Sequence, residues 1–304
     1  MVFRMISVIM STYNEKSDYI SCSIESILNQ TEKEFEFIIV IDNPENRAAV
    51  ETVRFYAEKD SRIKLLFNPT NLGLVTSLNR ALDLADGEYI ARMDADDIAL
   101  PNRLENELKY LTETKCDIVG CRTEYIDEFG NSLGRQSLIV PENKTVSALK
   151  VSSFLCHPSW LARIEVYNTL NGYRNIDSCE DYDFLVRAVN SNYRIAMTPE
   201  VLLNYRMNSS GISQTNSFKQ FLAFYYISKH FDHFTSVSEN DIIEYVKRNS
   251  TDENAKRFVE GYGAFLKLKS ASSFSERTEA FFKAVFSSRF YSMKLLYALR
   301  STMI

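Results

Sequence analysis

The chain has 304 residues, of which 45% are hydrophobic and 25% are charged, a composition typical of a folded protein with one large core and a smaller appendage. Its formal net charge of -5 argues against nucleic-acid binding, because phosphate backbones require a concentrated excess of Lys and Arg. The five cysteines are scattered and lack C-x-x-C spacing, which argues against a disulfide framework or a structural zinc site and favours reduced cytosolic thiols.

The N-terminal segment Met1–Met10 is apolar but too short to span a bilayer, and it lacks a small-residue cleavage site. It therefore predicts a buried first strand. No later window reaches the roughly 18 uninterrupted apolar residues that a membrane helix needs, so we expect no membrane span.

The first hundred residues alternate short apolar runs with amphipathic stretches, which predicts a parallel sheet covered by helices. The predicted strands are Ile6–Met10, Phe35–Ile41, Ile63–Phe67 and Glu88–Met93. The predicted helices between them are Asp18–Asn29, Asn46–Lys59 and Gly73–Ala85, with Ser17 as the N-cap of the first. Sheets of this kind bind ligands outside the carboxyl ends of their strands, so the polar residues that follow each run are candidate ligands.

The alternation of apolar runs and amphipathic stretches ends after Pro101. A helix is predicted from there to about Thr114, followed by a strand at Asp117–Val119 and a hairpin with its turn at Glu128–Asn131. We expect residues 1–210 to form one domain, with a parallel-sheet half at 1–115 and a mixed-sheet half at 116–210. Residues 211–304 then form a helical region, with the boundary near Ser209-Ser210-Gly211.

The strongest local signal is an acidic run directly after the predicted strand Glu88–Met93, where Asp94, Asp96 and Asp97 lie within four positions. Three carboxylates this close repel one another, and a bound cation is the usual compensation. Magnesium or manganese suits oxygen ligands and leaves coordination sites open for a diphosphate. The run therefore predicts a divalent-metal site, and a solvated acidic turn that caps the next helix is the alternative.

Polar residues also follow the other predicted strands. Asp42 ends the second strand, where it can accept hydrogen bonds from a ligand or form an Asx turn with Asn43. The segment Thr12-Tyr13-Asn14 follows the first strand and offers a phenol ring for stacking, unless it is an ordinary polar loop. Asn71-Leu72-Gly73 opens the third helix, where free backbone N–H groups favour phosphate or ribose oxygens, and Asn79 lies on that helix.

Two further motifs carry candidate chemistry. Glu180-Asp181 precedes an apolar helix face, so a general base there competes with a purely structural role in the field of the helix dipole. Upstream, His157 is followed by Pro158, which fixes the backbone and can aim the imidazole. A single histidine is nevertheless more often a hydrogen-bonded core or loop residue than a ligand.

Taken together, these motifs resemble family 2 of inverting glycosyltransferases with the GT-A fold. The resemblance covers roughly Ile6 to Arg206 and rests on Ser7–Asn14, Asp42, Asn71-Leu72-Gly73 with Asn79, Ala85–Ile90, the D-x-D element Asp94-Ala95-Asp96, His157-Pro158-Ser159 and Glu180-Asp181. It implies an α/β, GT-A-type open mixed sheet with a Rossmann-like N-terminal half, flanked by helices and followed by a C-terminal helical region.

The resemblance implies that residues 1–115 are the nucleotide-sugar-binding half and residues 116–210 the acceptor-binding half of the catalytic domain. It also implies how the donor is held. Asp42 contacts the nucleotide base and Tyr13 lies against it, although this chain has Asp-Asn-Pro-Glu at 42–45 where the family commonly has Asp-Asp-Gly-Ser. Asp94 approaches the ribose and the metal, and Asp96 binds the Mn²⁺ or Mg²⁺ that holds the donor diphosphate. The remaining donor-binding candidates are Thr12, Asn14, Asn71, Gly73, Asn79 and Ala95.

For catalysis the resemblance implies that Asp181 takes the acceptor proton, that Glu180 helps to hold the acceptor, and that His157 lies near the diphosphate or the acceptor. We therefore expect transfer of a sugar, with inversion, from a nucleotide-diphosphate sugar, UDP-sugar favoured, to a hydroxyl of a saccharide or lipid-linked saccharide. The expected setting is bacterial surface polysaccharide or glycan assembly in the cytoplasm.

The C-terminal stretch from Ser275 to Ile304 interleaves aromatic with basic residues, and the aromatic ones include Phe281, Phe282, Phe286 and Phe290. Such a helix can lie in the interface at the inner face of the plasma membrane and bring the enzyme to a lipid-linked acceptor. Packing on the rest of the protein is the favoured alternative, because an aromatic stripe on a helix is more often core.

Two other functions compete with glycosyl transfer. An Asp-dependent phosphotransferase or phosphatase fits Asp94-Ala95-Asp96 superficially, but Ile98 stands where that pattern has a threonine. A catalytically silent subunit that binds sugar nucleotides is the other alternative.

Overall fold

The computed structural model describes residues 5–176, 178–207, 217–270 and 273–302. The chain forms two compact units. The first, called the sheet unit here, comprises Met1–Thr145, Phe154–Asn175 and Arg187–Ser209. The second, called the helical unit, comprises Val146–Ser153, Ile176–Val186 and Ser210–Ile304. The expected boundary at Ser209-Ser210-Gly211 lies outside the described residues.

Within the described residues, the sheet unit contains one mixed sheet of nine strands. They are β1 (Ile6–Thr12), β2 (Phe35–Ile41), β3 (Ile63–Phe67), β4 (Tyr89–Asp94), β5 (Ile98–Ala99), β6 (Ile118–Ile126), β7 (Ser132–Gln136), β8 (Trp160–Arg163) and β9 (Ile195–Arg206). Their order is β3-β2-β1-β4-β8-β6-β9-β5, with β7 paired to β6. The first four are parallel, whereas β8 runs antiparallel to both of its neighbours. The expected open mixed α/β sheet is confirmed.

Helices cover the parallel strands because these strands are apolar on both faces. The helices of the N-terminal half are α1 (Ser17–Leu28), α2 (Arg47–Ala57), α3 (Leu74–Leu82) and α4 (Arg103–Thr114). Every residue of β1 and β2 is buried, as both faces of a parallel sheet require. The predicted N-cap at Ser17 is wrong, because Ser17 is already helical and Lys16 occupies the cap position without a side-chain hydrogen bond.

The second half of the sheet differs from the sequence prediction in extent. Strand β6 runs from Ile118 to Ile126, well beyond the predicted Asp117–Val119, because it pairs with β8, β9 and β7 in turn. The predicted hairpin is present, with Ile126 opposite Ser132. Three further helices follow in chain order. Helix α6 (Ile164–Leu170) belongs to the sheet unit, whereas α5 (Thr145–Leu149) and α7 (Glu180–Asn190) belong mostly to the helical unit.

The helical unit contains the C-terminal helices α8 (Ser217–Lys229), α9 (Glu239–Asn249), α10 (Asp252–Ser270), α11 (Phe274–Phe286) and α12 (Arg289–Ser301). Their core is aromatic: Phe218, Phe221, Phe258 and Phe290 are buried, and the ring of Phe218 lies 4.8 Å from that of Phe258. None of the described helices combines the length and the apolar character needed to cross a membrane.

The C-terminal aromatic stripe is divided between two environments. Phe290 and Tyr291 on α12 are almost fully buried, as core packing predicts. On α11, by contrast, the exposed fractions are 50% for Phe281, 54% for Phe282 and 75% for Phe286. The expectation of a single helix over this stretch is therefore wrong, because the stretch forms two helices, α11 and α12. The aromatic residues Phe290 and Tyr291 of α12 are packed, whereas those named on α11 are exposed.

Candidate active site

The acidic run forms a turn at the carboxyl end of β4. One carboxylate oxygen from each of Asp94, Asp96 and Asp97 lies within 4.8 Å of the others. Asp97 is 1% exposed, and its Oδ2 is buried without a hydrogen-bond partner. A fully solvated turn would expose all three carboxylates to water, whereas Asp97 is buried here and Asp94 and Asp96 are half-buried.

Burial, together with the charges of neighbouring carboxylates, raises the pKa values of Asp96 and Asp97. The pKa of Asp96 is raised to about 7, first by burial and then by the charges of Asp94 and Glu15. The pKa of Asp97 is raised well above its usual value, again by burial first and then by Asp96 and Asp94. A divalent cation would offset this repulsion and satisfy the unpartnered Oδ2, so the donor set fits Mn²⁺ or Mg²⁺.

Arg206, the last residue of β9, holds the acidic turn from one side. Its backbone N–H donates to Oδ1 of Asp97 at 2.8 Å, and its Nε donates to the backbone carbonyl of Asp96 at 2.7 Å. Its Nη1 donates to the carbonyls of Asp127 and Glu128 at 3.0 and 3.1 Å. The arginine therefore joins the turn to the hairpin between β6 and β7.

Buried charges underlie the same turn. Arg92, 1% exposed, forms an ion pair with the carboxylate of Asp94. Arg103 donates from Nη2 to the carbonyl of Arg92 at 2.8 Å and from Nε to Oε1 of Glu107 at 3.1 Å, and both of these side chains are fully buried. Burial raises the pKa of Glu107 to about 7, although Arg103 opposes the shift. The ion pair of Arg92 and the hydrogen bonds of Arg103 thus support the strand end that carries the acidic turn.

Parallel pairing brings the loop after β1 to the acidic turn, since Ser11 pairs with Asp94. The carboxylate of Glu15 accepts from Thr12 Oγ1 at 2.8 Å and from the N–H of Tyr13 at 2.7 Å, which folds this loop tightly. Tyr13 itself is 41% exposed, so its ring is available to a ligand.

The loop after β2 is tied to the loop after β1, because Asn43 Nδ2 donates to Asn14 Oδ1 at 2.8 Å. Asp42, in contrast, is buried, and both of its carboxylate oxygens accept hydrogen bonds from other residues of the protein. Its Oδ1 accepts from Asn68 Nδ2 at 2.6 Å and from the N–H of Leu72 at 2.7 Å, and its Oδ2 accepts from the N–H of Gly73 at 3.0 Å.

Two of the elements expected to bind the donor make contacts within the protein. Asp42 accepts from the N–H groups of both Leu72 and Gly73, and Asn71 Oδ1 accepts a second bond from Gly73, so these two N–H groups are already hydrogen-bonded. The side chain of Ala95 is 2% exposed and packs in the hydrophobic core. The assignment of Asn71, Gly73 and Ala95 to donor binding stays a prediction.

Asn79 also has a structural use that the sequence did not indicate. Its Nδ2 donates to the carbonyl of Tyr173 at 2.9 Å, and its Oδ1 accepts from the N–H of Tyr173 at 2.9 Å. Both polar ends of the amide are therefore engaged by one backbone position. The Tyr173 hydroxyl in turn lies 2.9 Å from Nε2 of His157, which is 9% exposed.

Glu180 and Asp181 belong to the helical unit and form the start of α7. Glu180 is 7% exposed, and Oδ1 of Asp181 accepts from the N–H of Tyr182 at 2.7 Å. The hydroxyl of Tyr182 donates to the carbonyl of Leu149 at 2.5 Å and so anchors the first turn of α7. The assignment of these two acids to catalysis stays a prediction.

The sequence did not assign Glu15, Arg206 or Tyr173 to the site, whereas Asp97 was part of the acidic run from which the metal site was predicted. Glu15 had a local signal, since it directly follows the segment Thr12-Tyr13-Asn14. Arg206 and Tyr173 had none, because their partners lie 109 and 94 positions away along the chain.

Comparison with solved structures defines the class of fold. A mannosyltransferase from Pyrobaculum calidifontis, PcManGT in complex with GDP-Man and Mn²⁺, aligns with a TM-score of 0.60 at 16% identity, over 98% of this chain and 86% of that one. S. aureus TarS 1-349 in complex with UDP-GlcNAc aligns with a TM-score of 0.57 at 19% identity, over 97% and 91%. A longer TarS chain is covered to 45% of its length. The fold is thus that of GT-A-like glycosyltransferases.

Sequence comparison gives the family. Residues 7–170 match the family described as Glycosyl transferase family 2. An uncharacterised glycosyltransferase of Methanocaldococcus jannaschii is 39% identical over 230 residues, which are 74% of this chain and 78% of that protein. The O-antigen biosynthesis glycosyltransferase WbnJ of Escherichia coli is 32% identical over 70% of this chain and 84% of its own. The chain belongs to glycosyltransferase family 2 and is a glycosyltransferase.

Proposed function

We propose that this enzyme transfers a glycosyl group from a nucleotide-diphosphate sugar to an acceptor hydroxyl, with inversion and with dependence on a divalent metal. The observation that carries the proposal is the acidic turn of Asp94, Asp96 and Asp97, with the unpartnered Oδ2 of Asp97. It lies beside the loop that follows β1. A metal-bound diphosphate fits this place, because it supplies a cation to the acids and phosphates to the open coordination sites.

The chain's own residues would divide the work. Asp94 and Asp96 would hold Mn²⁺ or Mg²⁺, which stabilises the charge that develops on the leaving diphosphate. The exposed ring of Tyr13 would lie against the nucleotide base, while Asp42 shapes that pocket through the 68–73 loop. Arg206 and Arg92 would keep the acids in place whether or not a donor is bound.

The acceptor side would depend on α7. Asp181 would take the proton from the acceptor hydroxyl, which is a poor nucleophile until a base helps it, and Glu180 would hold the acceptor. Attack opposite the leaving diphosphate gives inversion at the anomeric carbon. Residues 1–210 are accordingly proposed as the catalytic domain, with the donor half at 1–115 and the acceptor half at 116–210.

A UDP-sugar is the proposed donor, and a saccharide or lipid-linked saccharide made in cytoplasmic polysaccharide assembly is the proposed acceptor. The support comes from TarS, solved with UDP-GlcNAc, and from WbnJ, named for O-antigen biosynthesis. The GDP-Man complex of PcManGT makes a GDP-sugar the competing donor.

The test is nucleotide release from UDP-, GDP- and dTDP-sugars with Mn²⁺ or with EDTA. We expect metal-dependent release from one donor in the wild type and its loss in Asp96→Ala. Asp83→Asn is the matched control, because Asp83 is an exposed acid at the end of α3, outside the acidic turn. Binding of a donor without turnover would favour a silent subunit, and phosphate release from small phosphoesters would favour a phosphatase.

Contact with the inner face of the plasma membrane is proposed for the exposed aromatic side of α11. Phe281, Phe282 and Phe286 are at least half exposed, and residues 211–304 carry thirteen Lys and Arg against nine Asp and Glu. We expect co-sedimentation with anionic liposomes at low salt and its loss in the triple Phe→Ser variant of these residues. Phe129→Ser, at an 81% exposed phenylalanine of the sheet unit, is the control that should still sediment.

A further inference from the structure

Tyr173 connects α3 to His157 through two kinds of contact. Its backbone forms two hydrogen bonds of 2.9 Å with the side chain of Asn79, one in each direction. Its hydroxyl lies 2.9 Å from Nε2 of His157, and both of these side chains are buried. The tyrosine is thus fixed at its main chain, and its hydroxyl contacts both the imidazole and, at 3.3 Å, the hydroxyl of Tyr167.

The loop that carries Tyr173 is anchored independently. Arg187 donates from Nη1 to the carbonyl of Leu170 at 2.7 Å and from Nη2 to that of Gly172 at 3.0 Å. Gly172 has φ +67°, and a Cβ there would lie 2.5 Å from Oδ1 of Asn79. The close approach of the loop to Asn79 therefore requires glycine at this position.

His157 lies at the end of the sheet where the acidic turn lies. Strand β8 runs antiparallel to β4 with Leu161 opposite Ala91, so the short helix His157–Ser159 before β8 falls at the carboxyl end of β4. That is the end at which Asp94 begins the acidic turn. The Trp160 ring, 4.6 Å from the imidazole, limits its motion from a second side.

We infer that Tyr173 is a positioning residue, which fixes the orientation of the His157 imidazole beside the proposed donor site, and that Asn79 acts through Tyr173. The inference rests on the proposed function. A hydrogen bond to one ring nitrogen, together with ring packing, restrains the plane of the imidazole and hence the direction in which the ring faces the acidic end of the sheet. Asn79 contributes by placing the tyrosine, with its own amide engaged at both ends.

A double-mutant cycle in donor turnover tests the coupling. Loss of one hydrogen bond corresponds to about a tenfold change, so we expect Tyr173→Phe to lower kcat/KM about tenfold, with the loss in kcat and the donor KM within twofold. In a His157→Ala background the same change should have less than a twofold effect. Equal losses in both backgrounds would overturn the inference, because the tyrosine would then act independently of His157.

Tyr193→Phe is the matched control, since it also removes one hydroxyl hydrogen bond, from Tyr193 to Thr169 at 2.8 Å. It should change turnover by less than twofold. Asn79→Ala should reproduce part of the Tyr173→Phe loss, and that part should vanish when His157 is already alanine. A full Asn79→Ala loss in the absence of His157 would assign Asn79 to the donor itself.

A spectroscopic measurement separates this inference from the proposed function. The chain has three histidines, so the ring ¹⁵N signals of His157 can be assigned by comparison with His157→Ala. We expect Tyr173→Phe to shift those signals and UDP with Mg²⁺ to shift them in the wild type. Unchanged ring signals in Tyr173→Phe would refute the positioning contact even if turnover fell. If the wild type showed no turnover but Tyr173→Phe still shifted the His157 ring signals, the transferase proposal would be refuted and the positioning contact would stand.

Discussion

Two ion pairs with the same spacing show how differently the two units use charge. In the sheet unit Arg103 and Glu107, four positions apart on α4, are both fully buried at 3.1 Å. In the helical unit Glu253 and Arg257, also four apart on α10, meet at 2.9 Å with more than half of each side chain exposed. The buried pair supports the strand that ends in the acidic turn, whereas the exposed pair faces water.

The contrast extends to the surface and the cores. Residues 1–210 contain 22 Lys and Arg against 31 Asp and Glu, whereas residues 211–304 have an excess of basic residues. The sheet unit buries Arg92, Arg103 and Asp97, and the helical unit buries Glu180 and Asp183 at the start of α7, although its core cluster is built mainly from aromatic rings. Buried charge demands fixed partners, so both the acidic turn and the start of α7 are suited to hold polar groups in a defined geometry.

The largest expected effect is the loss of turnover on replacing Asp181, which would show that a residue of the helical unit takes part in catalysis. Asp181→Ala should lower turnover by about 10²–10⁴-fold, the usual contribution of a general base. The control is Asp252→Ala, an acid in the first turn of α10 that should leave turnover unchanged. Equal activity of both variants would rule out Asp181 as the general base.

Glu107→Ala should destabilise the protein by about 3–5 kcal/mol, because Arg103 would remain buried without its carboxylate. Glu253→Ala should cost no more than about 0.5 kcal/mol, since its pair is exposed. Urea unfolding of the two variants measures the difference. A comparable cost in both would contradict the distinction drawn between the units.

The pH dependence of stability tests the buried carboxyl itself. The folded pKa of Glu107 is raised to about 7 from an ordinary value of 4.5. The folded state therefore binds more protons than the unfolded state between these values, and stability should fall as the pH rises from 4.5 to 7, by about 2 kcal/mol. Denaturant titrations of Glu107→Gln should show a flatter profile over this window, and an unchanged profile would mean that another group titrates.

The smallest expected effects are the changes in stability on substituting two glycines of α10. A Cβ on Gly263 would meet nothing within 4 Å, so Gly263→Ala should raise stability by about 0.5–1 kcal/mol through helix propensity. A Cβ on Gly261 would lie 2.7 Å from Tyr291, so Gly261→Ala should lower the melting temperature instead. The opposite signs, read in one thermal unfolding experiment, test whether the helical unit packs tightly at α12.

Local patterns predicted much of the architecture. The mainly apolar runs 6–10, 35–41 and 63–67 all form parallel strands. The first two are buried on both faces, as their composition predicts, whereas the third is the edge strand β3 and is only partly buried. The acidic run had to lie at a strand end, since the strand Tyr89–Asp94 leads directly into it. The full length of β6 was not predictable in the same way, because it depends on pairing with three other strands.

The sequence by itself determined the family, the N-terminal strands and helices, and the acidic run, because each depends on residues close together in the chain. Only the tertiary structure decided that Asp42 and Asn79 bind protein backbone, that Arg206 holds the acidic turn, and that Phe290 is buried while Phe286 is exposed. These outcomes depend on which residues from distant parts of the chain pack against a given side chain, and the local spacing of residues does not encode those contacts.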